Sequence, residues 1–345
     1  MEIKSKDQTV IDLYVHADVD AAVIEKFKGL ATVYPHFRDY AYKIGQDTSD
    51  QITNEFYTIV TKANLLAEDL KNIPSTQDNI WLWPTLLGYQ LFALGMVAPK
   101  CQVHACIHFE KYFQFPFLGK SIWHYAFNHV KAAQTNIKIG VTTKELLWQF
   151  QKLTTYPIEV LPVNHGFDAD RVQRKKLRKI GFFGHQHKRK GISMLPGLVK
   201  SLLISGYEIV IQDSGNVITG EVGAKQDRIA LLPYVDDFAK AMSPCDLIVM
   251  PYQKESYRFM GSGILWEAVA SGIPVVVPAH TTLANIIEET GGGVCFDFET
   301  IDSVLDAIDR ASKNYDQIAK DAYDSSAVWL QTNGVKKFVE KFLSM

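Results

Sequence analysis

Short apolar runs alternate with longer, more polar stretches along most of the chain. The predicted strands of the first half cover 10–16, 80–83, 103–108, 137–141 and 158–162, and those of the second half cover 179–184, 208–212, 228–231, 247–251, 274–278 and 293–296. Stretches with helical character, such as 53–70 and 143–153, separate some of these strands. This alternation is typical of βαβ units and predicts an α/β protein with parallel sheets.

A basic segment divides the pattern. Six of the nine residues in 171–179 are lysine or arginine, and the alternation restarts directly afterwards. A chain of 345 residues also exceeds the size to which one core usually grows. We therefore predict an N-terminal domain over 1–165 and a C-terminal domain over 166–322. The last segment repeats apolar residues at helical spacing (Val335, Phe338, Val339 and Phe342), so we expect a helix within about 323–345 to pack back on the first domain.

The composition is that of a globular protein, and its overall charge does not indicate a particular binding partner. Hydrophobic residues make up 47% and charged residues 21%, with a formal net charge of −2, as in soluble globular proteins. Four cysteines form a poor disulfide framework, and the first ten residues lack the apolar run of a signal peptide. We expect a cytoplasmic protein. The uncharged stretch 80–98 approaches the length of a membrane span, but Pro84, Gly88 and Gly95 favour a strand followed by a helix.

The strongest local signal lies in 261–278. Gly261, Ser262 and Gly263 open a predicted helix, whose free N–H groups and positive dipole end suit a phosphate. Glu267 follows Ser262 by five residues, little more than one turn, and could reach a ribose hydroxyl. Gly272 ends the helix before a buried strand. The alternative is an ordinary helix with a surface glutamate.

A second signal is the loop 184–191, which directly follows a predicted strand. Ligands of open α/β sheets bind at the carboxyl ends of strands, so Arg189 and Lys190 could neutralise a diphosphate there. A solvated basic loop is the alternative. The sequence contains neither the P-loop pattern nor the dinucleotide-binding Gly-x-Gly-x-x-Gly, which disfavours NTP hydrolysis and hydride transfer.

Together these motifs resemble the donor-binding domain of GT-B glycosyltransferases, especially the large retaining family that includes mannosyl- and glucosyltransferases. The matching segments are the loop 184–191, the strand and turn 229–235, the strand 246–251 and the Glu-Ala-x-Ala-x-Gly-x-Pro-Val-Val element at 267–276. The resemblance covers 180–308 well and the first half only in outline. It implies two Rossmann-like domains facing each other across a cleft.

The resemblance also implies roles for individual residues. Lys190 would contact the donor diphosphate, Glu267 the ribose, and the turn at Tyr234 and Val235 the base. His108 stands at the end of a predicted strand, where the family often has a histidine facing the donor sugar and the acceptor. We therefore expect His108 to be catalytic.

Two positions depart from the family pattern. The acidic residue expected eight positions before Glu267 is replaced by Phe259, and Glu255 is out of register. The glycine-rich loop after the first strand is replaced by the segment 16–20. Whether the sugar's configuration is retained or inverted stays open.

Three other clusters of residues offer alternative chemistry. Cys101, His104, Cys106 and His108 contain potential zinc ligands, but a flat strand spaces them too regularly, so we expect a buried strand and no metal. The basic segment 171–179 could contact anionic lipid or nucleic acid, and a solvated linker is the alternative. Aromatic residues could form a sugar-stacking or membrane-facing surface or pack in the core (Tyr112, Phe113, Phe115, Phe117 and Trp123).

We therefore predict transfer of a sugar from a UDP- or GDP-sugar to a hydroxyl acceptor, without a cofactor or required metal. In this interpretation Lys190 and the amides of Ser262 and Gly263 stabilise the leaving diphosphate. The protein would be cytoplasmic with a possible peripheral membrane contact and no integral span. The alternatives are an epimerase or phosphorylase on the same fold, a non-catalytic nucleotide-sugar-binding subunit, and glycosylation of nucleic acid.

Overall fold

The structure is a computed structural model that describes residues 11–18, 20–38, 51–108, 118–165, 171–213, 216, 218, 227–232, 234–235 and 237–345. The strands are β1 Asp12–His16, β2 Thr32–Phe37, β3 Ile80–Trp83, β4 Gln102–Ile107, β5 Ile137–Val141, β6 Ile158–Val160, β7 Lys179–Phe182, β8 Glu208–Gln212, β9 Ile229–Leu232, β10 Leu247–Val249, β11 Val275–Pro278 and β12 Gly293–Phe296.

The α-helices are α1 Ala21–Lys26, α2 Gln51–Leu70, α3 Gly88–Val97, α4 Leu118–Ala132, α5 Lys144–Gln151, α6 Leu195–Ile204, α7 Phe238–Met242, α8 Lys254–Tyr257, α9 Gly263–Ala270, α10 Thr282–Thr290, α11 Ile301–Lys313, α12 Tyr315–Thr332 and α13 Val335–Ser344. The strands form three sheets, ordered β1-β2, β3-β4-β5-β6 and β12-β11-β10-β7-β8-β9.

Each predicted strand overlaps an observed one, whereas β2 was missed. Pro35 lies inside β2, and a proline weakens the strand pattern because it cannot donate a ladder hydrogen bond. The two-stranded sheet tolerates it, since among the described residues β2 pairs with β1 alone, in parallel. Residue 10 of the first predicted strand lies outside the described residues.

Contacts divide the chain into two compact units. The first contains Met1–Leu82, Leu86–Val103 and Phe115–Ile137, and the second contains Trp83–Thr85, His104–Gln114 and Lys138–Met345. The domain bounds 1–165 and 166–322 stay a prediction.

In the first unit, α3 packs closely on α4. A Cβ added to Gly88 would lie 2.9 Å from Cγ2 of Ile122, and one added to Gly95 would lie 2.9 Å from Cδ2 of His129. Glycine at these two positions therefore allows the helix backbones to approach. Trp123 of α4 is fully buried beside this contact.

In the second unit, the six-stranded sheet is parallel throughout. Alternate residues of β7 face opposite sides, so Ile180 joins one buried cluster and Phe183, directly after the strand, joins the other. The first cluster includes Leu198 of α6 and Val304 of α11. The second includes Leu265 of α9. Both faces of the sheet are therefore covered, as parallel sheets require.

The helix α13 closes the chain and buries its apolar stripe. Phe338 and Phe342 pack with Cys106 of β4 and with Leu161, just after β6. The buried Nδ1–H of His104 donates to the carbonyl oxygen of Phe342 at 2.6 Å. A helix is thus present within the predicted 323–345, and it covers β4 within the second unit.

Candidate donor site

The order of the six-stranded sheet defines a position for a ligand. From β7 the chain runs outward through β8 and β9, and from β10 it runs the opposite way through β11 and β12. Neighbouring β7 and β10 therefore form a topological switch point, beyond whose carboxyl ends open α/β sheets bind ligands. The loop 184–191 follows β7, and Pro251 follows β10.

The loop 184–191 is held at this point by its two terminal glycines. Gly184 has φ +90°, and its N–H donates to Oε1 of Gln212 at 2.8 Å. Gly191 has φ +73°, and a Cβ added there would lie 2.0 Å from the carbonyl oxygen of Pro251. The N–H of Gln253 donates to the carbonyl oxygen of Arg189 at 2.9 Å. The loop therefore lies against the chain that follows β10.

Lys190 is a half-buried cation in this loop, and no carboxylate of the described residues pairs with it. Burial, together with the positive charge of Arg189, lowers the pKa of the Lys190 ammonium to about 8. Its Nζ lies 5.4 Å from the centre of the Tyr252 ring. Arg189 is exposed. An ammonium that is partly desolvated and lacks a carboxylate partner is suited to binding an anionic ligand.

The ammonium of Lys190 neighbours the first turn of α9. A Cβ added to Gly184 would lie 2.1 Å from Nζ of Lys190 and 3.3 Å from Cγ1 of Ile264. The two signals that the sequence suggested separately are therefore adjacent. Ser262 is the N-cap residue of α9, and the amides of its first turn present the positive end of the helix dipole.

The glycines at this helix start are sterically required. A Cβ added to Gly261 would lie 2.0 Å from Cζ2 of Trp266, and one added to Gly263 would lie 2.9 Å from Cε1 of His165. Ser262 itself is only 6% exposed. The two glycines thus leave room for the Trp266 ring and the His165 imidazole beside the helix start.

Glu267 lies in the second turn of α9 and is 8% exposed, so the alternative of a surface glutamate is wrong. The apolar residues around it explain the burial, because every residue from Ile264 to Ala270 is buried. Its Oε1 accepts a hydrogen bond from Nδ1 of His165 at 3.0 Å. A carboxylate accepts up to about four hydrogen bonds, and hydroxyl groups such as those of ribose are suitable donors to it.

His165 is a site residue that the sequence reasoning missed. Its side chain is 33% exposed, and its ring lies 5.4 Å from that of Trp266. The only signal was its position just after the strand that ends the first half. The pairing with Glu267 joins residues 102 positions apart, which local patterns do not reveal.

His108 directly follows β4, as predicted. Its Nε2–H donates to the carbonyl oxygen of Pro84 at 2.7 Å; a carbonyl only accepts, so Nε2 carries the hydrogen. Burial lowers the pKa of His108, the Pro84 hydrogen bond opposes that shift, and the charge of His165 lowers the pKa further. Phe338 of α13 stacks on the imidazole at 6.3 Å. The neutral form keeps a lone pair on Nδ1, as a general base requires.

The predicted base-binding turn has one exposed and one buried residue. Tyr234 is 74% exposed and Val235 is 8% exposed. Residues 233 and 236 on either side lie outside the described residues. An exposed aromatic ring is available for stacking on a base, and the assignment stays a prediction.

Phe259 occupies the position where the family pattern expects an acid. Its carbonyl oxygen accepts a hydrogen bond from Oγ1 of Thr143 at 3.2 Å, and Arg258 lies over its ring at 5.3 Å. Glu255 is exposed on α8. The position therefore presents an aromatic side chain where the pattern has a carboxylate.

The strand with potential zinc ligands is buried. His104 is 1% exposed, and Cys101 and Cys106 are fully buried. Burial raises the pKa of the Cys106 thiol to about 12, which disfavours the thiolate that binds metal. Among the described residues, no three His, Cys, Asp or Glu side chains cluster so as to hold a metal ion.

The basic segment turns two of its cations inward. Arg174 is 7% exposed and donates to the carbonyl oxygens of Cys245 at 2.6 Å and Ser243 at 3.1 Å. Arg171 donates to Oγ of Ser326 at 2.6 Å and to the carbonyl oxygen of Tyr323 at 2.7 Å. Both expectations for the segment, a surface that grips anions and a solvated linker, therefore fail for these two arginines. Arg174 instead satisfies carbonyl groups just after α7, and Arg171 lies against the middle of α12.

Two remaining expectations concern apolar segments. Trp123 is a core residue, and Tyr112, Phe113, Phe115 and Phe117 lie outside the described residues. The stretch 80–98 forms β3 and α3. Among the described residues, no helix is long and apolar enough to cross a membrane.

Comparison with known families defines the class. Residues 178–314 match the family model described as Glycosyl transferases group 1, which confirms the resemblance inferred from the motifs. No curated protein sequence matches the chain. The matched segment contains β7, the loop 184–191 and α9. The second half therefore contains a segment similar to group 1 glycosyltransferases, which supports a transferase.

Similar solved structures have the same fold. WaaG, a glycosyltransferase involved in lipopolysaccharide biosynthesis, is 12% identical over 96% of this chain and 98% of its own, with a TM-score of 0.57. The sucrose-phosphate synthase of Thermosynechococcus elongatus is 12% identical over 98% and 100%, with a TM-score of 0.58. HepE of Anabaena, solved with UDP and glucose, is 11% identical over 96% and 90%, with a TM-score of 0.65. The predicted GT-B fold is confirmed.

Proposed function

We propose that the protein transfers a sugar from a UDP- or GDP-sugar to a hydroxyl acceptor. The observation that carries this proposal is the half-buried ammonium of Lys190, unpaired with any carboxylate of the described residues, beside the first turn of α9. A cation and a helix N-terminus together stabilise a diphosphate better than either does alone, because both act on the same anion. The UDP in the HepE structure agrees with a nucleotide diphosphate as the ligand of this fold.

The proposed reaction requires the protein to stabilise the leaving diphosphate. When the bond from the sugar to the diphosphate breaks, negative charge develops on the leaving diphosphate, and Lys190 with the amides of Ser262 and Gly263 would stabilise that charge. Arg189 is exposed at the same loop and could add a second cation. These groups supply the stabilisation without a metal ion, so we propose that none is required.

We assign His108 as the residue that removes the proton from the acceptor hydroxyl. The lowered pKa keeps its imidazole neutral near pH 7, and the hydrogen bond to Pro84 leaves Nδ1 as the basic atom. General-base catalysis by a positioned histidine contributes about 10² to 10⁴ in rate. The assignment of Tyr234 and Val235 to the base belongs to the same proposal.

The first experiment is a thermal-shift panel of UDP- and GDP-sugars, because a ligand at 100 times its dissociation constant stabilises the folded state by about 2.7 kcal/mol. The donor that stabilises the protein is then incubated with acceptor alcohols while released nucleoside diphosphate is measured. Acceptor-dependent release supports the transferase. Release that needs no acceptor contradicts transfer and indicates hydrolysis or another reaction of the donor.

A non-catalytic nucleotide-sugar-binding subunit is the second candidate, because Phe259 replaces the expected acid. Under that proposal the donor would stabilise the protein, and no acceptor in a broad panel would release the diphosphate. The same two measurements therefore separate the candidates.

A further inference from the structure

His165 lies between the two parts of the candidate donor site. Its Nδ1 is 3.0 Å from Oε1 of Glu267, and its Cε1 lies 2.9 Å from the position that a Cβ on Gly263 would take. One edge of the imidazole therefore contacts the carboxylate assigned to ribose, and another lies against the start of α9. A third of the side chain is exposed, so a ligand at the helix start would meet it.

The backbone next to His165 is fixed from both sides. The N–H of Val163 donates to Oδ1 of Asn333 at 2.8 Å, and its carbonyl oxygen accepts from the N–H of Gly334 at 2.8 Å. These two bonds attach the segment to the junction of α12 and α13. The imidazole is therefore presented to α9 by an ordered backbone two residues away.

We infer that His165 is a positioning residue of the donor site, which orients the Glu267 carboxylate for the ribose hydroxyls. This inference rests on the proposed function. A glutamate side chain loses considerable rotamer freedom when a ligand fixes it, and a hydrogen bond formed beforehand removes part of that loss. His165 acts on the ribose through Glu267, whereas Lys190 acts on the diphosphate.

The chemistry of the imidazole allows a sharp substitution test. The Nδ2 of asparagine is attached to Cγ as the Nδ1 of histidine is, so His165→Asn keeps a donor that can reach Glu267. In His165→Gln the amide nitrogen is one bond farther from the backbone, so it takes the place of the histidine Nε2 and not of the Nδ1 that contacts Glu267. His165→Ala removes the donor altogether. The three variants differ in the hydrogen bond while each removes the aromatic ring.

The test measures the affinity of UDP, GDP, uridine and guanosine by calorimetry. We expect His165→Ala and His165→Gln to weaken the nucleoside and its diphosphate by the same factor, about tenfold, and His165→Asn to restore most of the affinity. The double variant His165→Ala with Glu267→Gln should bind the nucleoside no more weakly than the weaker-binding single variant does. The reason is that the two substitutions remove the same interaction.

Other results would overturn the inference. Unchanged nucleoside affinity in His165→Ala, equal weakening by all three substitutions, or additive losses in the double variant would each show that His165 does not act through Glu267. A folded wild-type protein that binds neither UDP nor GDP would reject the proposed function itself. Wild-type binding with an unaffected His165→Ala variant would reject this inference alone. Unfolding midpoints of each variant identify losses that come from misfolding.

Discussion

Replacing Lys190 should stabilise the protein while removing its affinity for diphosphate. The ammonium has a pKa of about 8 in the folded protein, against 10.5 for an ordinary lysine, because burial and Arg189 disfavour the charged form. The difference corresponds to about 3 kcal/mol at a pH where both states are charged. Lys190→Met removes the charge, so we expect the free energy of unfolding at pH 7 to rise by up to about 3 kcal/mol.

The pH dependence has a defined sign. The folded state binds the Lys190 proton less tightly than the unfolded state does. The destabilisation of the folded state by the charged Lys190 is therefore fully present below pH 8 and disappears as the pH rises from 8 to 10.5. Stability of the wild type relative to Lys190→Met should therefore recover over that window. Diphosphate affinity should fall above pH 8 in the wild type as the ammonium deprotonates. Lys190→Arg should keep its affinity over the same range, because a guanidinium stays charged.

The assay is denaturant unfolding of wild type and variant between pH 7 and 10, with calorimetry of UDP and GDP at the same values. Lys188→Met is the matched control, because Lys188 is exposed in the same loop and should change neither quantity appreciably. A Lys190→Met variant less stable than wild type at pH 7 would refute the reasoning, since the ammonium would then be held by favourable contacts.

Three further substitutions test separate parts of the account. Gly184→Ala should destabilise the fold by about 1 to 3 kcal/mol in denaturant unfolding and weaken diphosphate binding, because φ is +90° and the new methyl group would meet Nζ of Lys190. Arg174→Met should lower the free energy of unfolding by about 2 to 4 kcal/mol without changing the Kd for diphosphate, since it leaves the buried carbonyl of Cys245 unpaired. His108→Ala should reduce kcat by about 10² to 10⁴ with donor affinity unchanged; a variant with normal kcat would contradict its catalytic role.

The sequence predicts the second half of the fold better than the first. The strand 208–212 is a largely buried apolar run between turn residues, and its observed bounds agree with the predicted ones. The strand Thr32–Phe37 was missed because Pro35 interrupts its pattern. A proline inside a strand therefore hides it from local rules, whereas an uninterrupted apolar run is recognised.

The sequence predicts the individual residues of the candidate site but not the contacts between residues that are distant in sequence. Loop 184–191 and the start of α9 carried recognisable residue types, but only the sheet order brings Lys190 next to Ile264. The bond between His165 and Glu267 depends on tertiary packing, which spacing does not encode. Charge composition likewise suggested a surface role for 171–179, whereas Arg174 is buried by carbonyl groups distant in sequence.

We propose that Lys190 binds the diphosphate and Glu267 the ribose of one nucleotide-sugar donor. The most direct test measures by calorimetry how tightly the Lys190→Ala and Glu267→Gln variants bind three ligands. These ligands are a nucleoside, its diphosphate and the corresponding nucleotide sugar. We predict that Lys190→Ala weakens the two phosphate-containing ligands and leaves the nucleoside nearly unaffected, while Glu267→Gln weakens all three by about one to two orders of magnitude. Unchanged nucleoside affinity in a folded Glu267→Gln variant would contradict the account.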